Sequence, residues 1–238
     1  MNPDESALLL SVRADPSDPL PQLLYADWLE ERGCRCRADC LRAEVAAAIL
    51  GAGNVLGILD VERHFRRPYS EHELRALATV PFSDETLRQY KDTHVLIAGA
   101  PLSVNEMRKL ADSIFCPGDW YNREAFATTK KVGARWYLLR KEPVPESRNK
   151  TYDEQTALLK DEEVPFACEV TYLVVLYWLT HRERLLPHVF VRCQDKESDG
   201  FRVDIGGFGD LGFFLGCYPD SDCENRLGLA SSVPPRKS

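Results

Sequence analysis

The sequence is short of most features that announce a function. Basic residues are the minority, 30 against 37 acidic ones, giving a net charge of −7, and no basic stripe with interleaved aromatics offsets that balance. A surface of this sign repels phosphate backbones and anionic lipid, so neither nucleic acid nor membrane is expected as a partner. The longest apolar run, around residues 172–179, falls far short of the ~20 residues needed to span a bilayer. The opening Met1-Asn2-Pro3-Asp4-Glu5-Ser6 is acidic where a secretory signal carries basic residues, so a cytoplasmic protein is expected. In that compartment the eight cysteines read as reduced thiols. There is no phosphate-cradling glycine loop, no His-Glu-x-x-His pair and no Gly-x-Ser-x-Gly. The histidines His64, His72, His94, His181 and His188 are scattered. No catalytic set, cofactor or metal is expected.

What is present is an ordinary apolar and charged content over 238 residues, enough for a medium domain plus a small one. The first fifty residues read as helices broken by proline and glycine. A short helix capped by Asp4 or Ser6 runs to Arg13, and Asp15-Pro16-Ser17-Asp18-Pro19 forces a turn. Leu20, Leu23, Leu24, Trp28 and Leu29 then recur at helical spacing up to Gly33, and an alanine-rich helix covers 41–50. Residues 51–92 read as a mixed connector with short helices at 71–77 and 84–90.

From residue 93 the pattern changes. His94-Val95-Leu96-Ile97-Ala98 is a buried strand, and Ser103 with Glu106 forms a capping box for a helix reaching 115. A strand at 135–139, a helix at 152–160 and a helix opened by Pro165 and running to His181 follow. The last of these is apolar nearly all round, as an enclosed helix should be. Strand-like segments at 189–193, 201–205 and 211–215 alternate with glycine turns. The expected class is α+β, with a helical module over 1–50, the connector over 51–92 and an α+β domain over 93–238.

Two cysteine- and acid-rich segments invite a metal reading. Cys34, Cys36 and Cys40 have no second ligand pair nearby, so free thiols around a helix start explain them. Asp195-Lys196-Glu197-Ser198-Asp199-Gly200 mimics the opening of a calcium loop, but Gly206 stands where the bidentate acid belongs. A polar hairpin turn explains the same residues.

Asp15-Pro16, Leu24-Tyr25-Ala26-Asp27-Trp28-Leu29-Glu30-Glu31-Arg32-Gly33 and Arg42-Ala43-Glu44 together resemble the short bacterial repeat-companion module. That resemblance covers about the first fifty residues and implies a docking or assembly unit without an activity of its own. The C-terminal half, through Trp136-Tyr137-Leu138-Leu139-Arg140, Val164-Pro165, Trp178-Leu179 and Glu224-Asn225-Arg226-Leu227-Gly228, resembles the formylglycine-generating-enzyme branch of the C-type-lectin-like fold. This implies two main helices with short twisted antiparallel strands. The catalytic branch would bind copper through two tail cysteines. Here Cys217 and Cys223 stand further apart than in that pattern, and no histidine follows Cys217.

The ending resembles instead the variable proteins diversified by retroelements, which display hypervariable side chains near the C-terminus. Residues 206–223 contain no Lys, Gln, Glu, Met or Trp, as diversified asparagine codons require, and a plain glycine-turn hairpin has the same composition. On the first reading Phe208, Asp210, Phe213, Leu215, Tyr218, Asp220, Asp222 and Asn225 form a binding surface for a protein or other macromolecule. On the second, Phe213 and Leu215 alternate inward and are core. The leading expectation is a non-enzymatic recognition protein. A copper- or thiol-dependent oxidase and a structural protein–protein interaction module are the alternatives.

Overall fold

The computed structural model describes residues 2–15 and 18–235 and is of the α+β class. The expected turn at Pro16-Ser17 lies outside the described residues. The first fifty residues are helical: α1 (Pro3–Ala14), α2 (Pro19–Glu31) and α3 (Arg35–Ile49) among those described. The cap of α1 is Asn2, whose side chain accepts from Asp4 N at 2.9 Å, and not Asp4 or Ser6. Asp18 caps α2 in the same way. The third helix starts six residues before the alanine-rich stretch, because Arg35, Cys36 and Arg37 pattern poorly yet form its first turn.

The segment expected as a connector carries β1 (Val55–Leu56), α4 (Ile58–Phe65), α5 (Glu71–Leu77) and α6 (Asp84–Tyr90). Of these, β1 and α4 were not legible, and both are core: Leu56, Ile58, Val61 and Phe65 are all buried. Then come β2 (His94–Ala98), α7 (Val104–Leu110), α8 (Ala125–Thr128), β3 (Trp136–Arg140), α9 (Tyr152–Thr156) and α10 (Ala167–His181). The capping box of α7 is present, with Ser103 N donating to Glu106 Oε2 at 2.8 Å and Glu106 N to Ser103 Oγ at 3.3 Å. The chain closes with β4 (Phe190–Lys196), β5 (Arg202–Gly209), β6 (Gly212–Tyr218), β7 (Leu227–Leu229) and β8 (Ser232–Val233).

The strands form two four-stranded sheets, ordered β1-β2-β3-β8 and β6-β5-β4-β7. Each is mixed rather than antiparallel throughout, since β1 runs parallel to β2 and β7 parallel to β4. The tail joins the two sheets: β7 adds to one and, just beyond it, β8 adds to the other. Between them runs α10, buried at every residue from Ala167 to Tyr177. Leu139 of β3, Val191 of β4 and Val170, Leu173 and Val174 of α10 line one small space between them. One apolar cluster runs from Tyr25 to Val233 without a break at residue 50 or 92. Polar ties cross it as well: Trp136 Nε1 donates to Leu77 O at 2.8 Å, and Tyr172 Oη to Ala98 O at 2.9 Å. No helix among the described residues is long and apolar enough to cross a membrane.

The calcium-loop mimic is a hairpin turn between β4 and β5. Its first acid, Asp195, is turned inward, accepting from Ala167 N at 2.6 Å and from Lys130 Nζ at 2.8 Å. It therefore complements the positive N-terminal end of α10. Glu197 takes the amides of Asp199 and Phe201, both at 2.9 Å, which closes the turn.

Candidate functional site

The strand pairing of β5 and β6 decides the fate of the expected C-terminal surface. Alternation along β6 sends Phe213 and Leu215 into the core and leaves Phe214 outside. Phe213 is fully buried against Phe115, with ring centroids 4.5 Å apart. Phe208 is buried between Trp178 and Phe213 at 5.4 and 5.6 Å. These three apolar positions are core, contrary to their expected display, because a sheet packed on α10 needs one apolar face.

The polar members lie outside but are largely engaged. Asp210 is exposed and pairs with Arg184 at 2.8 Å, while Asp220 is held by Arg202 at 3.0 Å and Lys196 at 2.8 Å. The backbone oxygens of Asp222 and Pro219 accept from Arg192 Nη2 at 2.9 and 2.8 Å. Tyr218 is half-buried and Asn225 exposed. The loop around 218–225 is thus clamped from below by the buried Arg192, which also donates to Gln155 Oε1 at 3.1 Å. Cys223 is exposed and Cys217 half-buried, and all eight cysteines are unbridged. Burial first, then Glu197 and Asp204, push the Cys217 thiol up, which is opposite to what a thiolate ligand needs.

A second polar cluster lies at one end of the β1-β2-β3-β8 sheet, where His94 pairs with Arg140. Glu162 accepts from His94 Nε2 at 2.8 Å, Ser231 Oγ at 2.8 Å, and Arg140 Nε and Nη2 at 3.2 and 3.1 Å. Burial alone would raise its pKa, but the bonds from His94, Arg140 and Ser231 hold it down at about 2. Serine, histidine and carboxylate are all present, yet Ser231 reaches Glu162 and Arg140 and not the imidazole. The adjacent cavity, about 10 Å³, has room for at most one water. The cluster ties β2, β3 and the tail together.

A site with room lies elsewhere, between the N-terminal helices expected as a docking unit and the β1–α4 part of the expected connector. A cavity of about 350 Å³ is walled by α1, α2, α3, β1 and α4. Leu9, Val12, Val45 and Val55 give it an apolar side. Gln22, Arg37, Glu44, Asp60 and Glu62 give it a polar one, with Arg13 and Arg63 exposed where it opens. Its geometry follows from Glu44, an acid inside the apolar stripe of α3 that also carries Leu41 and Val45. Glu44 Oε1 accepts from Ile58 N at 2.8 Å and Oε2 from Gln22 Nε2 at 2.8 Å, so one side chain joins α2, α3 and the start of α4. The carboxyl approaches Gly57 so closely that a Cβ there would overlap it, which is why that residue is glycine. One residue back, Asp60 Oδ2 accepts from Gly57 N at 3.1 Å. Two carboxyls therefore hang on consecutive amides.

Burial pushes the Glu44 pKa up to about 8, with Asp60 adding to the shift and the amides of Ile58 and Gln22 opposing it. The Asp60 pKa is raised too, by burial, against the pull of the Gly57 amide, His181 and Arg63. Arg37 binds Glu62 with both Nη atoms, and Tyr69 N adds a third donor at 3.2 Å. The described lining includes no serine, threonine, cysteine, lysine or histidine, so the side chains of nucleophile type facing the space are the carboxyls of Glu44, Asp60 and Glu62. The signal for this site was Glu44 at i+3 from Leu41, an acid where the period calls for an apolar residue.

Tyr25, Asp27, Glu30 and Arg42 hold the helices that wall this cavity together. Arg42 of α3 donates to Asp27 at 2.7 Å and Glu30 at 2.5 Å on α2. Tyr25 is buried with its hydroxyl on Glu5 of α1 at 3.1 Å. Comparison with known proteins finds no matching family model, no matching curated protein and no matching solved structure.

Proposed function

We propose that this chain is a non-enzymatic binding protein that recognises a small ligand in the cavity between α1–α3 and the β1–α4 segment. The observation that carries the reading is the cavity itself: about 350 Å³, within the range of small-molecule sites, with an apolar wall facing a few convergent polar groups. The perturbed acids Glu44 and Asp60 sit in that space, as functional carboxyls often do. Support for binding over covalent catalysis comes from the engagement of the three carboxyls in the lining, Glu44 and Asp60 by amides and Glu62 by Arg37. The two sheets and α10 then serve as the rigid body on which α4 is held.

The test is a steric block. Ala48 lines the cavity and faces solvent, so Ala48→Trp fills the opening without cutting a hydrogen bond. Thermal shifts of parent and A48W are compared across a small-molecule library. Compounds that stabilise the parent should lose their effect on A48W. Stabilisers acting equally on both would place binding elsewhere and refute the reading.

A second reading, contact with a macromolecule through the outer side of β6, is favoured by Leu211 and Phe214, which are 70% and 41% exposed. Trp120 lies alongside with its Nε1 on Leu215 O at 3.0 Å. A photoreactive residue in place of Phe214 that captures no protein in the native host would remove this reading.

A further inference from the structure

The two carboxyls of the cavity lack an ion-pair partner, which a buried acid pair ordinarily has; Arg37 acts on Glu44, and His181 and Arg63 on Asp60, without direct contact. No lysine, arginine or histidine forms an ion pair with Glu44 or Asp60 among the described residues. Their partners are backbone amides and the Gln22 amide. The charged groups around them are accounted for in other ways. Arg37 of α3 is consumed by Glu62 through both Nη atoms. Arg13 of α1 and Arg63 of α4 are exposed, where solvent screens them. His181 at the end of α10 is turned to Tyr177, with Nδ1 at 3.3 Å from its carbonyl and the rings stacked. A carboxylate removed from water without a cation is costly, and it resolves that cost by holding a proton or by taking a cation.

We infer that the cavity takes an organic cation, an ammonium or amidinium on a small apolar body, with its charged head at Glu44 and Asp60. This rests on the cavity being a ligand site, as proposed above. Because the two acids hang on the consecutive amides of Gly57 and Ile58, a single N–H-bearing head can reach both. The body then lies on Leu9, Val12, Val45 and Val55. An anion is disfavoured, since the amides at the start of α4 that would hold it are already occupied by the protein's own carboxyls. A bare divalent ion is disfavoured too, because no group of three or more His, Cys, Asp or Glu among the described residues is placed to hold one.

Three probes of one size separate the possibilities: n-pentylammonium, pentanoate and pentan-1-ol, each titrated against the full chain and followed by amide shifts. The expected result is saturable movement of the Gly57 and Ile58 amides with the ammonium alone. Its affinity should rise about tenfold per pH unit on the way to pH 8, as one proton is released on binding. Asp60→Asn keeps an acceptor for the Gly57 amide and should weaken the ammonium at least about tenfold. Glu44→Gln should flatten the pH slope, and if that variant does not fold, D60N still decides. Pentanoate or pentanol binding as tightly as the ammonium, or a D60N variant that binds it unchanged, overturns the cation assignment and leaves the cavity as a ligand site. No movement of cavity amides with any probe overturns both.

Discussion

Replacing Glu44 by glutamine should make the protein more stable at alkaline pH, against the usual rule that cutting a buried polar network costs stability. Burial raises the folded-state pKa from 4.5 to about 8. The folded chain therefore holds this proton more tightly than the unfolded chain. The contribution to stability is fully present below about pH 4.5 and is lost as pH rises to about 8. A difference of that size corresponds to about 5 kcal/mol, an upper bound because local opening and water entry soften it. In the Glu44→Gln variant the new side chain keeps a carbonyl for Ile58 N, and its NH2 donates to Gln22 Oε1 once the Gln22 amide, now a donor to Glu44, flips; at pH 5 it should match the protonated parent within about 1 kcal/mol. At pH 8.5 it should exceed the parent by about 2–5 kcal/mol. The assay is urea unfolding by tryptophan fluorescence under reducing conditions at pH 5, 7 and 8.5, with the slope m checked for constancy. Other groups that titrate in this range drop out in the comparison of parent with variant. A variant destabilised by the same amount at every pH would show that Glu44 is ionised in the folded state, and the burial reasoning would fail.

Gly57→Ala should lower thermal stability by about 1–3 kcal/mol, because the added Cβ overlaps the Glu44 carboxyl; combining it with Glu44→Ala should restore most of the loss, and a simple sum of the two effects would contradict the close approach. Phe213→Ala should cost about 3–5 kcal/mol in urea unfolding as a core truncation, and a cost below about 0.5 kcal/mol would return this side chain to the surface. Acid unfolding should be governed partly by Glu162: its pKa lies at about 2, below the ordinary 4.5, so its contribution is present above 4.5 and lost as pH falls to about 2. Glu162→Gln should therefore lower stability at pH 6 and change it little at pH 2, which acid titration followed by circular dichroism would show.

How much of this was legible depended on whether a residue's role was set locally. The capping box of Ser103 and Glu106, the buried strand at 94–98 and the enclosed α10 were readable, since each needs only its own spacing and composition. The α+β class followed from them. The strand β1 was not readable, being a short segment that pairs only because β2, far along the chain, supplies a partner. Nor was α4, whose start is held by Glu44 and Asp60 and not by a Ser or Thr cap. The same lack hid the cavity: its walls come from α1, α2, α3, β1 and α4, and only Glu44 marks it in the sequence. At the C-terminal end the alternation of β6 was visible but its phase was not. Aromatic residues on glycine-rich strands fit either face until the position of α10 is known.

Glu44 and Asp204 show why a raised acid alone does not point to a site. Both are buried carboxyls whose pKa burial pushes up, Asp204 to about 7 against the partial pull of Arg192. Asp204 lies opposite Arg192 and Gly216 in the sheet, and a Cβ on Gly216 would come within 2.8 Å of its carboxyl. Both of its oxygens are without a hydrogen-bond partner, and it lines neither of the two cavities described above. Its burial therefore serves packing: the carboxyl fills space that glycine leaves, beneath the loop that Arg192 clamps. Glu44 has the same perturbation with different surroundings, because its neighbour Asp60 and an apolar wall enclose room for a small molecule. Asp204 lines neither cavity. A proton held by Glu44 stands beside a space where a cation can replace it.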